Sequence, residues 1–190
     1  MNQIIDLDSK RKERIYKLTP AKILQKYWTQ STLHVDIISI AVNIKEFRFE
    51  LVEFNTSVNK EFDGFFATIS NINNEYILHY KKDMTIESLR LCISFALSFI
   101  IDQTVDNDKN KCIYITEHMI RDSNPKNDYE IRALCFTEEL LLPLNSIIKT
   151  INKLKDLKIE STVGNISRML DVSNVQIVIN RLKSLKYLVW

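Results

Sequence analysis

Residues 85–101 have the sequence TIESLRLCISFALSFII, which contains the longest apolar run in the chain. Apolar residues recur there at the three- and four-residue spacing of one helix face, and Thr85 with Ser88 supplies a start signal. Because the other positions are nearly all apolar too, we expect a central helix that is buried on every side. The run contains Arg90 and is too short to span a bilayer.

The composition is typical of one globular core with an appendage. The chain has 190 residues, of which 45% are hydrophobic and 26% charged. A net charge of +2 gives no whole-molecule field that would attract nucleic acid or a membrane, although a local basic patch is still compatible with it. Two glycines and three prolines supply few tight turns, which favours long helices over a many-stranded sandwich.

The N-terminal sequence and the cysteines lead to expectations about the cellular location of the protein and the redox state of its thiols. Residues 1–14, MNQIIDLDSKRKER, lack the apolar segment of a signal peptide, so we expect a cytoplasmic protein. The cysteines are Cys92, Cys112 and Cys135, without C-x-x-C spacing. Since Cys92 and Cys135 lie in apolar runs, the pattern predicts buried free thiols in a reducing compartment.

Short elements precede the central helix. Thr19-Pro20-Ala21 is a helix start, with threonine as the N-cap and proline at the first helical position, and the helix is expected to run to Trp28. A short helix is expected within residues 34–44. Alternating apolar and polar residues predict strands at residues 47–54, 65–69 and 76–80, with residues 71–74 as a hairpin connection.

The remaining chain is predicted to be mainly helical. Residues 102–127 are polar, and we expect a loop around a short piece of helix or strand. A second strong helix is predicted at residues 129–142, ended by Pro143. Three helices are expected after it: residues 147–157, residues 163–170, and a final helix capped by Ser173 or Asn174 that runs through Leu188.

These expectations give an α+β fold in three parts. Residues 1–19 form a flexible N-terminal arm, residues 20–143 form the main domain, and residues 144–190 form a helical C-terminal domain. The sequence of the C-terminal domain is typical of a helix-turn-helix.

The second strong helix carries a family resemblance. Residues 130–143 read EIRALCFTEELLLP, close to the pattern Glu-x-x-Ala-x-x-Phe-Ala-x-Glu-Leu-Leu-x-Pro. Together with the order of elements over most of the chain, this stretch resembles the ImmA/IrrE family of zinc metallopeptidases, which cleave helix-turn-helix repressors. The resemblance implies a zincin-like domain, with a small curved antiparallel or mixed sheet and two central site helices, and then a helical, helix-turn-helix-like tail.

The resemblance fails at the catalytic residues. Family members carry His-Glu-x-x-His on the first site helix, where two imidazoles one turn apart bind Zn²⁺ and the glutamate takes a proton from the bound water. The aligned positions here are Phe95, Ala96 and Phe99, while Glu130 aligns with the third metal ligand. Phenylalanine offers a metal no lone pair and alanine cannot move a proton. We therefore expect no catalysis, no metal and no cofactor, with both rings filling the volume of the metal and its water.

Glu130 then needs a new partner, and we expect Arg90, Arg132 or exposure to solvent to provide it. Cys92, three residues before Phe95, is placed where it could face Glu130. The other candidate ligands show no recognisable pairing in the sequence; they are His34, His79, His118, Cys112 and Cys135.

The leading functional hypothesis is a catalytically inactive pseudo-metallopeptidase that binds a protein. The resemblance implies a helix-turn-helix repressor, or another regulator in a phage or mobile-element circuit, as the partner. The edge of the strand at residues 65–69 would pair with an extended peptide of that partner.

Two alternatives stay open. The protein could be a transcriptional regulator that binds DNA through its C-terminal segment. Arg168, Arg181, Lys183 and Lys186 are the candidate contacts there, to nucleic acid or to a protein partner, and the segment could instead serve packing or protein binding. It could also be a residual zinc metallopeptidase with unorthodox ligands.

Overall fold

A computed structural model describes residues 14–29, 32–54, 65–73, 75–102, 112–122 and 125–187. The described chain is α+β, with a small mixed sheet and several helices, as predicted. The helices are α1 (Pro20–Tyr27), α2 (Ile37–Asn43), α3 (Ile86–Ile101), α4 (Asp128–Leu141), α5 (Leu144–Asp156), α6 (Val163–Met169) and α7 (Val175–Ser184). The strands are β1 (Arg48–Phe54), β2 (Phe65–Ile72), β3 (Glu75–Lys81) and β4 (Cys112–Thr116), and a π-helical turn occupies His118–Asp122.

The four strands lie in the order β1-β3-β2-β4. β1 runs parallel to β3, whereas β2 is antiparallel to both of its neighbours. β2 and β3 form a hairpin in which Ile72 pairs with Glu75, so β2 extends into the predicted connection at residues 71–74. Asn73 has a φ of 55°, a left-handed conformation that asparagine tolerates better than most residues.

The expectation that the strand at residues 65–69 has an open edge is wrong. That segment belongs to β2, which is flanked by β3 on one side and by β4 on the other. β4 lies in the polar region at residues 102–127, where its five residues are too few to establish a clear alternation. The outer strands within the described residues are β1 and β4.

α3 lies at the centre of the molecule, as predicted. The hydroxyl of Thr85 caps it by accepting a hydrogen bond from the amide of Ser88 at 3.3 Å. Every residue from Arg90 to Ile101 is buried, because β2, β3 and β4 contact the helix and α4 packs against it as well.

α1 begins as predicted, with Thr19 as its N-cap and Pro20 in its first turn. Ile15 and Leu18, which belong to the predicted arm, are 3% and 8% exposed. The packed part of the chain therefore begins before Thr19, and residues 1–13 lie outside the described residues.

The final helix is shorter than predicted. Asn174, one of the two predicted caps, caps it, but α7 ends at Ser184 and not at Leu188. Lys186 adopts a left-handed φ of 59°, and the amide of Tyr187 donates to the carbonyl of Leu182 at 2.9 Å. This hydrogen bond closes the helix end, and residues 188–190 lie outside the described residues.

Two buried side chains connect the tail, residues 144–187, to the part of the chain that precedes it, which we call the body. The Arg90 guanidinium donates to the carbonyl oxygens of Val35 at 3.1 Å and Leu170 at 3.3 Å, and to that of Asp171. The amide nitrogen of Asn174 donates to the carbonyls of Ile120 at 2.6 Å and of Arg121 at 3.0 Å.

One buried apolar cluster extends from Ile15 to Leu182. It therefore includes side chains from both sides of the boundary at residue 143, and the division into two domains there stays a prediction. In the described residues, no helix combines the length and apolarity needed to cross a membrane.

Candidate functional site

Phe95, Ala96 and Phe99 lie deep in α3, with exposures of 1%, 0% and 0%. The ring centroids of Phe95 and Phe99 are 6.4 Å apart, and the Phe99 ring meets that of Tyr129 on α4 edge-on at 5.8 Å. These three rings, which we call the aromatic row, lead from the core to the surface, where Tyr129 is 37% exposed. Aromatic carbon therefore occupies this part of the interface between α3 and α4.

Glu130 is the third residue of α4 and forms part of its N-terminal cap. The side-chain oxygen of Asn127 accepts from the Glu130 amide at 3.0 Å, and the side-chain nitrogen of Asn127 donates to Glu130 Oε1 at 3.0 Å. The amide of Lys126 donates to Glu130 Oε2 at 2.7 Å. This reciprocal arrangement is close to a capping box, so the carboxylate has a structural role at the start of α4.

His118 is a further partner of Glu130, and it comes from the π-helical turn after β4. Its Nε2 lies 3.3 Å from Glu130 Oε2, and its Nδ1 lies 2.7 Å from the hydroxyl of Thr116. The expected partners are therefore corrected. Arg90 is engaged with backbone carbonyls, Arg132 pairs with Asp102 at 2.9 Å, and Glu130 is only 6% exposed.

At Glu130, hydrogen bonds lower the pKa of the carboxyl group by more than burial raises it. Burial by itself would raise the pKa of the carboxyl group. The Lys126 amide, His118 and Asn127 all stabilise the charged form, and they hold the pKa of Glu130 below its usual range. Hydrogen bonds therefore stabilise the ionised form of Glu130.

The residues at this site do not fit the catalytic zinc that the resemblance implies. Such a site needs three protein ligands and an open fourth position. Phe95 and Phe99 offer no donor atom, and both oxygens of Glu130 already accept hydrogen bonds. His118 and Glu130 form a pair, and no group of three or more His, Cys, Asp or Glu residues in the described part of the chain is arranged to hold a metal ion.

The other candidate ligands are dispersed. Cys92 is fully buried with its sulfur 3.8 Å from that of Met84, so nothing places it against Glu130. Cys135 is exposed, which corrects the prediction that it is buried, because it lies on the outward face of α4. His34 is 3.7 Å from Asp171, and partial burial on β3 lowers the pKa of His79.

The basic residues predicted to contact nucleic acid or a protein partner occupy different environments. Arg168, Lys183 and Lys186 are exposed. The Arg181 side chain is only 15% exposed, because its Nε donates to the Leu142 carbonyl at 3.2 Å and its Nη1 lies 3.6 Å from Glu139. At the N-terminus of α7, the Asn174 side chain donates to the carbonyls of Ile120 and Arg121.

The two outer strands differ in charge. β1 carries Arg48, Glu50 and Glu53 with exposed side chains, a common protection against pairing with another chain. β4, with the sequence CIYIT, carries no charge, and Tyr114 on it is 43% exposed and stacks on Phe65 at 4.2 Å. Among the described residues no strand lies outside β4, so its edge is suited to accept an added strand.

Sequence reasoning did not connect Thr116 or His118 with Glu130, because that contact depends on the path of the chain between β4 and α4. The link between Asn127 and Glu130 does have a local signal, since a capping residue three positions before a glutamate is a recognisable pattern. Comparison of the chain with protein-family models, with curated proteins and with solved structures found no match.

Proposed function

We propose that the protein is a non-catalytic regulator that acts by binding another protein, on a scaffold resembling that of ImmA/IrrE metallopeptidases. The observation that carries the proposal is the apolar, fully buried set Phe95, Ala96 and Phe99. These residues stand where the resemblance places two metal ligands and a general base, and they can perform neither role. The zincin-like character of the domain, the helix-turn-helix-like character of α6 and α7 and a cytoplasmic location belong to this proposal.

The partner suggested by the resemblance is a helix-turn-helix repressor or a related regulator. Binding without cleavage would sequester the repressor or shield it from an active peptidase. The uncharged edge of β4 is the surface that fits an extended peptide, because its backbone can pair with the added strand while Tyr114 contacts the peptide's side chains.

The test compares partner capture by the native protein with capture by Tyr114→Lys, because a lysine on an edge strand opposes the addition of another strand. Glu50→Lys is the matched control, since it introduces the same side chain on the outer strand at the opposite side of the sheet. After cross-linking in the native host, we expect a regulator to be recovered with the native protein and with Glu50→Lys, and to be lost with Tyr114→Lys. Recovery of no specific regulator would count against the proposal.

The metal content provides an independent check. Elemental mass spectrometry of the protein purified without chelator should show zinc far below equimolar amounts. Equimolar zinc would instead favour the alternative of a metallopeptidase with unorthodox ligands, or a structural metal, and the interpretation of Phe95 and Phe99 would have to be withdrawn.

A further inference from the structure

A small cleft lies between the C-terminal end of α1 and the start of α5. Its volume is about 260 Å³, which is below the range of about 300–1,000 Å³ that is typical of pockets for drug-sized ligands. Its lining includes Leu24, Gln25 and Trp28 on one side and Pro143, Leu144 and Asn145 on the other. None of the described residues that line the cleft is charged, and none belongs to the aromatic row or to β4, so a ligand there would be independent of the proposed function.

The start of α5 places backbone hydrogen-bond donors beside the cleft. Leu144 and Asn145 are the first two residues of this helix, and amides in the first turn of a helix have no acceptor within it. Pro143 occupies the N-cap position, no side chain in the described residues caps this helix start, and its first turn contains no acidic residue. The positive end of the helix dipole is therefore not balanced by a side chain of its own helix.

Trp28, on the opposite wall of the cleft, carries a donor without an acceptor. The residue is only 8% exposed, and its indole Nε1 has no hydrogen-bond partner in the described part of the chain. A buried donor that stays unpaired is costly, and the indole N–H usually finds a partner when tryptophan is buried. Because Trp28 lines the cleft, a ligand there that offers an acceptor oxygen can pair with this donor.

Contacts outside the cleft hold both of its walls in place. The amide of Trp28 donates to the carbonyl of Leu24 at 3.0 Å, and Leu24 itself is buried. On the other wall, Arg181 Nε donates to the carbonyl of Leu142 at 3.2 Å, immediately before Pro143. The donors are therefore presented by an anchored backbone, which lowers the entropic cost of binding a ligand.

We propose that this cleft binds a carboxylate group. The two oxygens of the carboxylate accept hydrogen bonds from the first amides of α5 and from the Trp28 indole, and its single negative charge complements the helix N-terminus. A phosphate dianion fits less well, because no described lining residue is a cation. The apolar side chains of Leu24, Pro143 and Leu144 suit an acid with a short hydrocarbon body.

The test is a titration of the nitrogen-15-labelled full chain with butyrate at constant ionic strength, followed through the indole N–H resonances in NMR spectra. The chain contains two tryptophans, Trp28 and Trp190, and Trp28→Phe identifies the Trp28 resonance by its loss. We expect this resonance to shift and saturate with butyrate, and affinity to be about tenfold lower for butyramide, which has a similar shape without the charge. Absence of a saturable shift with butyrate overturns the proposal, and so does equal affinity for butyramide.

Two substitutions of asparagine by aspartate in α5 locate the site. Asn145→Asp places a carboxylate in the first helical turn, and we expect it to weaken butyrate binding by at least about tenfold through charge repulsion. Asn152→Asp makes the same change two turns further along the same exposed face and should bind like the native protein. Asn145→Asp should also raise the thermal midpoint, since an acidic residue stabilises a helix N-terminus, so that lost binding is distinguished from unfolding. Native affinity in Asn145→Asp would place the ligand elsewhere and overturn the proposal.

A second probe distinguishes the two sources of such a group. Butyrate represents a free acid, whereas N-acetyl-trialanine with a free C-terminal carboxylate represents the end of a protein chain, with its C-terminal amide as the matched control. Tighter binding of butyrate identifies a free acid as the ligand, tighter binding of the peptide identifies a chain terminus, and failure of both overturns the proposal. Trp28→Phe should bind the tighter probe about tenfold more weakly because one donor is lost, as measured by the shifts of the Leu144 and Asn145 amides.

Discussion

Glu130 shows how hydrogen bonds stabilise a buried carboxylate. Its oxygens accept hydrogen bonds from a backbone amide and from Asn127, and His118 lies beside it. These contacts stabilise the ionised form over the protonated one, so the side chain contributes to stability only while it is charged.

The Glu130 contacts predict a specific loss of stability in acid. Since the folded-state pKa is lowered, the contribution is complete above the unfolded value of about 4.3 and is lost as the pH falls through the folded value. We expect Glu130→Gln to have a weaker acid dependence of the unfolding free energy than the native protein, measured by urea denaturation at a series of pH values. Asp128→Asn, an exposed change in the same helix turn, should keep the native dependence.

The pKa of Glu138 is shifted in the opposite direction to that of Glu130. It lies on α4 and faces α7, where it is only 7% exposed. Burial raises the pKa of its carboxyl to about 7, although a hydrogen bond with Asn180 and the charge of Arg181 act in the lowering direction and Glu139 raises it further. The folded protein therefore binds a proton here that the unfolded chain releases at much lower pH.

The raised pKa of Glu138 predicts that stability decreases as the pH rises. Its contribution is fully present below the unfolded value of about 4.3 and is lost as the pH rises through about 7. Glu138→Gln should flatten this dependence and raise the thermal midpoint at pH values above the folded-state pKa. Glu139→Gln removes the same charge from a side chain that is 52% exposed; an equal flattening in this variant would contradict the assignment to Glu138.

At the scale of elements, the three helices of the tail end in the same backbone conformation. Lys158, Asp171 and Lys186 follow α5, α6 and α7 with left-handed φ values of 58°, 53° and 59°. Each is followed by an amide that donates back into the last helical turn, as in a Schellman motif. Glycine is the usual residue at such positions, and a side chain there costs about 1 kcal/mol.

Replacing one of these residues with glycine should therefore stabilise the protein. We expect Lys158→Gly to raise the free energy of unfolding by roughly 1 kcal/mol, because glycine adopts the left-handed conformation without strain. Lys153→Gly, on the exposed face of α5 and within the helix, should lower it by about 1 kcal/mol. Chemical denaturation of both variants measures the difference, and a change of the same sign in the two would contradict the explanation.

The sequence reveals those elements whose signals are local. Thr19 and Thr85 identify the starts of α1 and α3, and the apolar run after Thr85 identifies the buried helix. β4 and its pairing with β2 could not be predicted, because the pairing joins distant parts of the chain. The same applies to the site, where the apolar character of Phe95 and Phe99 is evident from sequence but the approach of His118 to Glu130 is not.

At the scale of the whole molecule, Arg90 joins three parts of the chain. It is 4% exposed and donates to carbonyls before α2 and at the end of α6. Lysine lacks the planar fork that reaches these oxygens together, and each buried carbonyl left unpaired costs about 1–3 kcal/mol.

Arg90→Lys should therefore destabilise the entire fold. We expect a loss of roughly 3 kcal/mol in the free energy of unfolding with a single transition retained, since body and tail share one buried cluster. Arg132→Lys, at a surface ion pair where the arginine is 57% exposed, should change it by less than about 1 kcal/mol. Two separate transitions in calorimetry of the native protein would show instead that residues 144–190 unfold independently.

The strand order also dictates a sequence of events during synthesis. The β2–β3 hairpin can close as soon as it leaves the ribosome, and β1 can join at once because β3 is its partner. β4, however, is translated only after the whole of α3, so the apolar strand β2 has an uncovered edge throughout that interval. A nascent chain stalled before β4 consequently presents an unpaired strand edge, which favours aggregation and binding to chaperones.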